Sequence, residues 1–113
     1  LGLINCGDKA LSVGEKSKLS LNNITAHQSE TGIASKDSSI VKFKEGNFNS
    51  VSNCLSAYKK KQEFEGGIII FNHMECESRK EKIVFDKYSF VSKVVSHSHR
   101  FSFLMVSRLD YLK

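Results

Sequence analysis

Apolar and polar residues alternate in short runs along this chain. Leu11 and Val13 are followed by the polar knot Gly14-Glu15-Lys16-Ser17, then by Leu19 and Leu21, then Asn22-Asn23, then Ile24 and Ala26, then a second polar stretch from His27 to Gly32. A period of two places successive side chains on opposite faces of a strand. The interruptions consist of residues that tolerate positive φ or bond their own backbone. No segment carries a long stripe at i, i+3, i+4, i+7, so the pattern predicts short strands joined by tight turns and argues against helical repeats.

The same pattern returns. A shift of 22 residues sets Leu11 on Ile33, Glu15 on Asp37, Ser17 on Ser39, Leu19 on Val41 and Leu21 on Phe43. A second shift sets Ile33 on Leu55 and Asp37 on Lys59, and a third copy opens at "NCLSAYKKK". Six extra residues within Tyr58 to Gly67 then restore the match, with Leu21-Asn22-Asn23-Ile24 falling on Phe71-Asn72-His73-Met74. A fourth copy begins at "KIVFDKYSF", with Ile83 under Leu55 and Phe85 under Ala57. The second copy reads as holding extra residues near Gly46, made up by a shorter stretch before Cys54.

Self-similarity at this period is the mark of a solenoid. Three short strands and three turns per copy predict an all-β fold, a single-stranded right-handed parallel β-helix of about four rungs of ~22 residues. The rungs fall near 7–30, 31–52, 53–80 and 81–100, with 101–113 a last rung or a cap. Stacked rungs would place Leu11, Ile33, Leu55 and Ile83 in one inward column and Leu19, Val41 and Ile69 in another. One rung alone cannot bury its apolar side chains, whereas a stack buries them continuously. Open sheet edges at either end, unless capped, leave end-to-end self-association as a third reading.

Composition adds limits rather than detail. The 113 residues amount to one domain's worth of chain, and 40% hydrophobic with 26% charged residues is a globular composition. No Pro is present, so Gly, Asn, Asp and Ser must make the turns. The chain begins at Leu1 and carries no apolar run of ~20 residues; it reads as a piece of a longer reading frame with no membrane span. The net charge of +5 comes mostly from Lys, which permits anionic partners. Cys6, Cys54 and Cys76 are widely spaced, and they read as small buried hydrophobes in a reducing compartment.

The phrases "LSVGEKSKLSLNNI", "GIASKDSSIVKFK" and "CLSAYKKKQEFEGG" resemble right-handed parallel β-helix repeats of bacterial surface and polysaccharide-related proteins. More narrowly, they resemble the β-helical part that accompanies spore-coat kinase-type domains. The resemblance covers about residues 5–95 and implies a scaffold or binding module at the cell surface or envelope. It implies no kinase activity for this chain, which holds no phosphate-binding Gly-rich loop, catalytic H-R-D or D-F-G.

Four groups of residues are candidates for chemistry. In-register stacking would set Glu15 and Asp37 ~5 Å apart, the carboxyl spacing of a retaining glycosidase; the competing reading is a solvated turn column continued by Lys59 and Lys87. The Tyr58–Gly67 insertion should project as a loop, and Tyr58, Lys59, Lys60, Lys61 and Phe64 offer cations and aromatic faces to an anionic or surface glycan. A nucleic-acid partner is disfavoured, because one triple-Lys loop lacks a recognition helix or a stacking sheet. His73, Cys76, His97 and His99 have metal-like spacings without a further ligand, so neither a metal nor another cofactor is expected. Asn22 and Asn72 occupy equivalent turns as ladder residues, with Lys44 interrupting between them. The sequence therefore predicts a non-catalytic scaffold or carbohydrate-binding module, with a fragment of a β-helical polysaccharide lyase or glycoside hydrolase as the rival.

Overall fold

The structure is a computed structural model that describes residues 2–97 and 100–105, with side chains described outside 4–7 and 95–105. It is all-β. Six strands, β1 (Gly2–Val13), β2 (Lys18–Lys36), β3 (Ile40–Tyr58), β4 (Ile68–Phe85), β5 (Phe90–His97) and β6 (Arg100–Met105), lie in sequence order in one sheet. The first four pairings are parallel, and β5 with β6 is antiparallel.

The register carries the repeat. Leu11 pairs with Ile33, Ile33 with Leu55 and Leu55 with Ile83, while Leu19, Val41, Ile69 and Val91 follow one another in the same way. Both columns expected from the sequence are therefore present. From Lys18↔Ile40 to Lys36↔Tyr58 the offset between β2 and β3 holds at 22 without a bulge. The extra residues expected near Gly46 are not there: Glu45 and Gly46 pair squarely with Asn23 and Ile24. Between β3 and β4 the offset is 28, as in Leu55↔Ile83, apart from an irregularity at Val51↔Ser78, and the six additional residues lie in the 59–67 connection.

These parallel partners are joined by very short links. Only residues 37–39 separate the end of β2 from Ile40, which pairs with Lys18, the start of β2. A straight strand of 19 residues would end about 60 Å from its beginning, but the longest extent of the molecule is 40 Å. Each long strand must therefore bend back on itself. The side chains show where. Leu19, Leu21, Ile24 and Ala26 turn toward the core while the adjacent pair Asn22-Asn23 is exposed; Lys44-Glu45 and Asn72-His73 repeat that slip of phase. Gln28 and Ser50, one repeat apart, take positive φ (54° and 56°) and mark a second bend.

The core is the set of inward columns. Ile24, Ile33, Val41, Phe43, Phe48, Val51, Leu55 and Ile69 are all at most 1% exposed. Phe43 stacks on Phe71 at 5.4 Å and meets Phe48 edge-on at 6.1 Å, favourable arrangements for aromatic pairs. The phenylalanine column ends in charge: Leu21, Phe43 and Phe71 are followed in register by Lys93. An inward charge is unfavourable for continuing an apolar stack, and from Ser92 the chain pairs antiparallel with β6 instead.

The cysteines depart from expectation. Cys54 and Cys76 form a disulfide with Cα atoms 6.2 Å apart. Cys76 occupies the column place held by Phe48 and Ala26 in the preceding layers, so it points at the core where Cys54 is also buried. Reading them as separate hydrophobes missed this because only the bend at Ser50 brings the two positions face to face.

Candidate functional site

The connection 59–67 is the largest departure from the repeat, and its neighbours determine its conformation. Gly14–Ser17 and Lys36–Ser39 are tight turns whose central residues all have positive φ: 47° and 64° at Glu15 and Lys16, 53° and 64° at Asp37 and Ser38. Ser17 N donates to Gly14 O and Ser39 N to Lys36 O, each at 3.2 Å, completing type I′ turns. Lys16 N donates to Asp37 O and Asp37 N to Tyr58 O, which stacks the turns layer on layer.

On this stack the Asp37 side chain anchors the insertion. Its Oδ1 accepts from Lys60 N at 2.8 Å and Lys61 N at 2.9 Å, while its Oδ2 is buried without a partner among the described residues. Burial pushes the Asp37 carboxyl upward, but the Lys61 and Lys60 amides, with the Lys36 and Lys61 charges, outweigh it and hold the group below the usual carboxylate range. Asp86 does the same from the other side, with Oδ2 taking Lys59 N at 2.7 Å and Oδ1 taking Ser89 Oγ and Tyr88 N. Ser38 Oγ accepts from Glu65 N, and Ser89 Oγ accepts from Gly67 N. A Cβ at Gly67 would collide with the Ser35 carbonyl, so this close approach requires glycine.

The predicted binding residues are thereby brought together, with most of their polar capacity used inside the molecule. Lys61 Nζ pairs with Glu15, which raises the Lys61 pKa. Lys59 Nζ lies 4.2 Å from the centre of the Tyr88 ring, and Lys16 Nζ lies 5.9 Å from that of Phe64. Tyr58 is the last residue of β3, paired with Lys36, and Lys60 alone of the three lysines projects without such a contact among the described residues. Glu15 and Asp37 occupy stacked turns as anticipated but in unlike surroundings. Glu15 is exposed and paired with a cation, whereas Asp37 is buried and bonded to backbone amides. An acid held ionised by amide donors is poorly suited to giving up a proton in catalysis.

The other sequence candidates separate. The sulfur of Cys76 is taken by the disulfide, so the His73/Cys76 spacing offers no thiolate. His73 Nε2 lies 3.9 Å from Glu75 Oε1 at the surface. The side chain of His97 and all of His99 lie outside the described residues. Among the described residues no cluster of three His, Cys, Asp or Glu could hold a metal ion, and no helix is long and apolar enough to cross a membrane. Asn22 and Asn72 are exposed at their bend, with Lys44 between them.

That bend borders a feature the sequence reading did not single out. A groove of about 420 Å³ crosses four strands beside it, with Lys42, Lys44, Asn22 and Asn72 on its walls and Ile70 and Val94 against its apolar part. The signal was present in "VKFKE", where Lys42 and Lys44 share the outward face. The apolar contribution comes from residues 28 and 50 positions further on, and only the register assembles them. Around the bend, Asn23, Glu45, His73 and Glu75 border a second, polar hollow. No family model matches this chain, and no curated protein or solved structure matches it.

Proposed function

We propose that the chain is a stretch of right-handed parallel β-helix acting as a non-catalytic scaffold and binding module of a surface-associated protein, with carbohydrate as its ligand. The observation that carries this reading is the parallel register from β1 to β4, continuous between β2 and β3 and shifted locally between Ile4 and Gly7 and between Phe48 and Asn53, in which strands of up to 19 residues return to pair with the chain 22 or 28 residues on. Such a stack is stiff and presents flat outward ladders at ~4.8 Å intervals, a suitable platform for an extended polymer. The Cys54–Cys76 disulfide supports placement in an oxidising environment, as on a cell surface. The backbone bonds to Asp37 and the ion pair at Glu15 favour binding over hydrolysis, because neither carboxyl is arranged as a general acid.

The test is to expose the protein to a panel of neutral and acidic polysaccharides while measuring both retention and release of reducing ends. Binding without depolymerisation is the expected outcome. Depolymerisation that is lost in Asp37→Asn would instead identify a polysaccharide lyase or glycoside hydrolase.

A further inference from the structure

We propose that the groove beside the Asn22 bend is the glycan site and that it selects an acidic glycan, one carrying carboxylates on its sugar rings; this rests on the binding-module reading above. Three observations converge on it. First, Lys42 and Lys44 are alternate residues of β3, so their side chains leave the same face of the sheet, and both are exposed. Among the described residues neither has a carboxylate within ion-pair distance, in contrast to Lys9, Lys61 and Lys80. Glu45, next in sequence to Lys44, opens on the second hollow around the bend. The groove is thus a place of uncompensated positive charge.

Second, the lysines are set in a surface suited to a sugar ring. Register places Lys42 between Ser20 and Ile70 on the same outward column. Ile70 and Val94 give an aliphatic surface for the C–H face of a pyranose, and Asn22 and Asn72 each bring both a donor and an acceptor for ring hydroxyls. Among the described residues no aromatic ring faces outward there for a base to stack on: Phe43, the one aromatic among the described lining residues, is an inward core residue, 1% exposed and stacked on Phe71. A single-stranded nucleic acid would want such a platform. Third, two of the three loop lysines that the sequence suggested for this role, Lys61 and Lys59, are engaged with Glu15 and Tyr88, which leaves Lys60 alone there against the pair of free cations at the groove.

The experiment is calorimetric titration of the whole chain with oligogalacturonate, with a dextran oligosaccharide and an oligothymidylate as comparison ligands. Oligogalacturonate should bind with an affinity that falls as salt rises, and Lys42→Gln with Lys44→Gln should weaken it about tenfold or more while leaving the melting temperature unchanged. Dextran should bind much more weakly. Undiminished binding in the double variant overturns the groove, and a loss on Lys60→Gln instead moves the ligand to the 59–67 loop. Equal affinity for oligothymidylate reduces the groove to a general polyanion patch and overturns the assignment. Binding of dextran but not oligogalacturonate also overturns it, with the binding-module reading intact. Absence of binding to any glycan removes both.

Discussion

Two of the bends that recur from layer to layer in this protein are held in different ways. The bend through Gly14–Ser17, Lys36–Ser39, 59–67 and Asp86–Ser89 is cross-linked from layer to layer by buried and half-buried side chains. Asp37 and Asp86 hold loop amides, and Ser39 Oγ lies 2.6 Å from Ser35 Oγ and donates to Val13 O at 2.9 Å. The bend through Asn22-Asn23, Lys44-Glu45 and Asn72-His73 is held by the core beneath it, where Leu21, Phe43 and Phe71 stack. Asp37, Ser39 and Asp86 at the first bend are committed to structure. Asn22, Lys44 and Asn72 at the second are exposed, so they can change identity without disturbing the fold, and it is there that the groove and its uncompensated lysines occur. The most elaborate part of the sequence, the insertion, is thus the more structural of the two regions.

Substitutions should separate the two bends by the size of their effects. Both depend on the core, so Ile33→Asp, which places a carboxylate at a fully buried position of the central column, should cost ~4 kcal/mol or more and abolish a cooperative melt. An unchanged melt would refute the column. Removing the disulfide by Cys54→Ser with Cys76→Ser should cost about 3 kcal/mol, because it frees a segment of 22 residues that contains the insertion; chemical denaturation measures it.

Asp37→Ala should produce a smaller fall in melting temperature and faster hydrogen exchange at the Lys60 and Lys61 amides, with exchange around Asn22 unaffected. The pH dependence has a definite sign. The folded-state pKa of Asp37 is depressed, so its contribution is fully present above the ordinary aspartate pKa of about 3.9 and fades as pH falls through the lower folded value. The wild-type protein should therefore lose stability in that acid window, and Asp37→Asn should flatten this part of the profile. At the other bend, Asn22→Ala or Asn72→Ala should change stability by no more than about 0.5 kcal/mol. A loss comparable to that of Asp37→Ala would erase the distinction between the bends.

Much of the fold was legible because burial with a period of two leaves a direct trace in the sequence. Leu11, Ile33, Leu55 and Ile83 recur at intervals set by the geometry of pairing, and the six extra residues of the insertion could be counted before any coordinates. The supposed irregularity at Gly46 arose because glycine and asparagine look like loop residues. In the folded chain Gly46 fills an inward place between Ile24 and Met74, where a Cβ would press on Phe43 and Phe48. The site was less legible. Lys59, Lys60 and Lys61 stood out as a run, but a run of charge says nothing about whether partners lie within reach.

By itself, then, the sequence determined the strands, their period, the order in which inward residues stack and the position of the insertion. Those follow from local alternation and from the requirement that apolar side chains be buried together. Tertiary structure alone decided which cysteines meet, which carboxylate turns inward to hold the loop, and which lysines are left facing solvent over an apolar groove. Each of these depends on residues from different layers approaching within a few ångströms, and no property of a single segment encodes that approach.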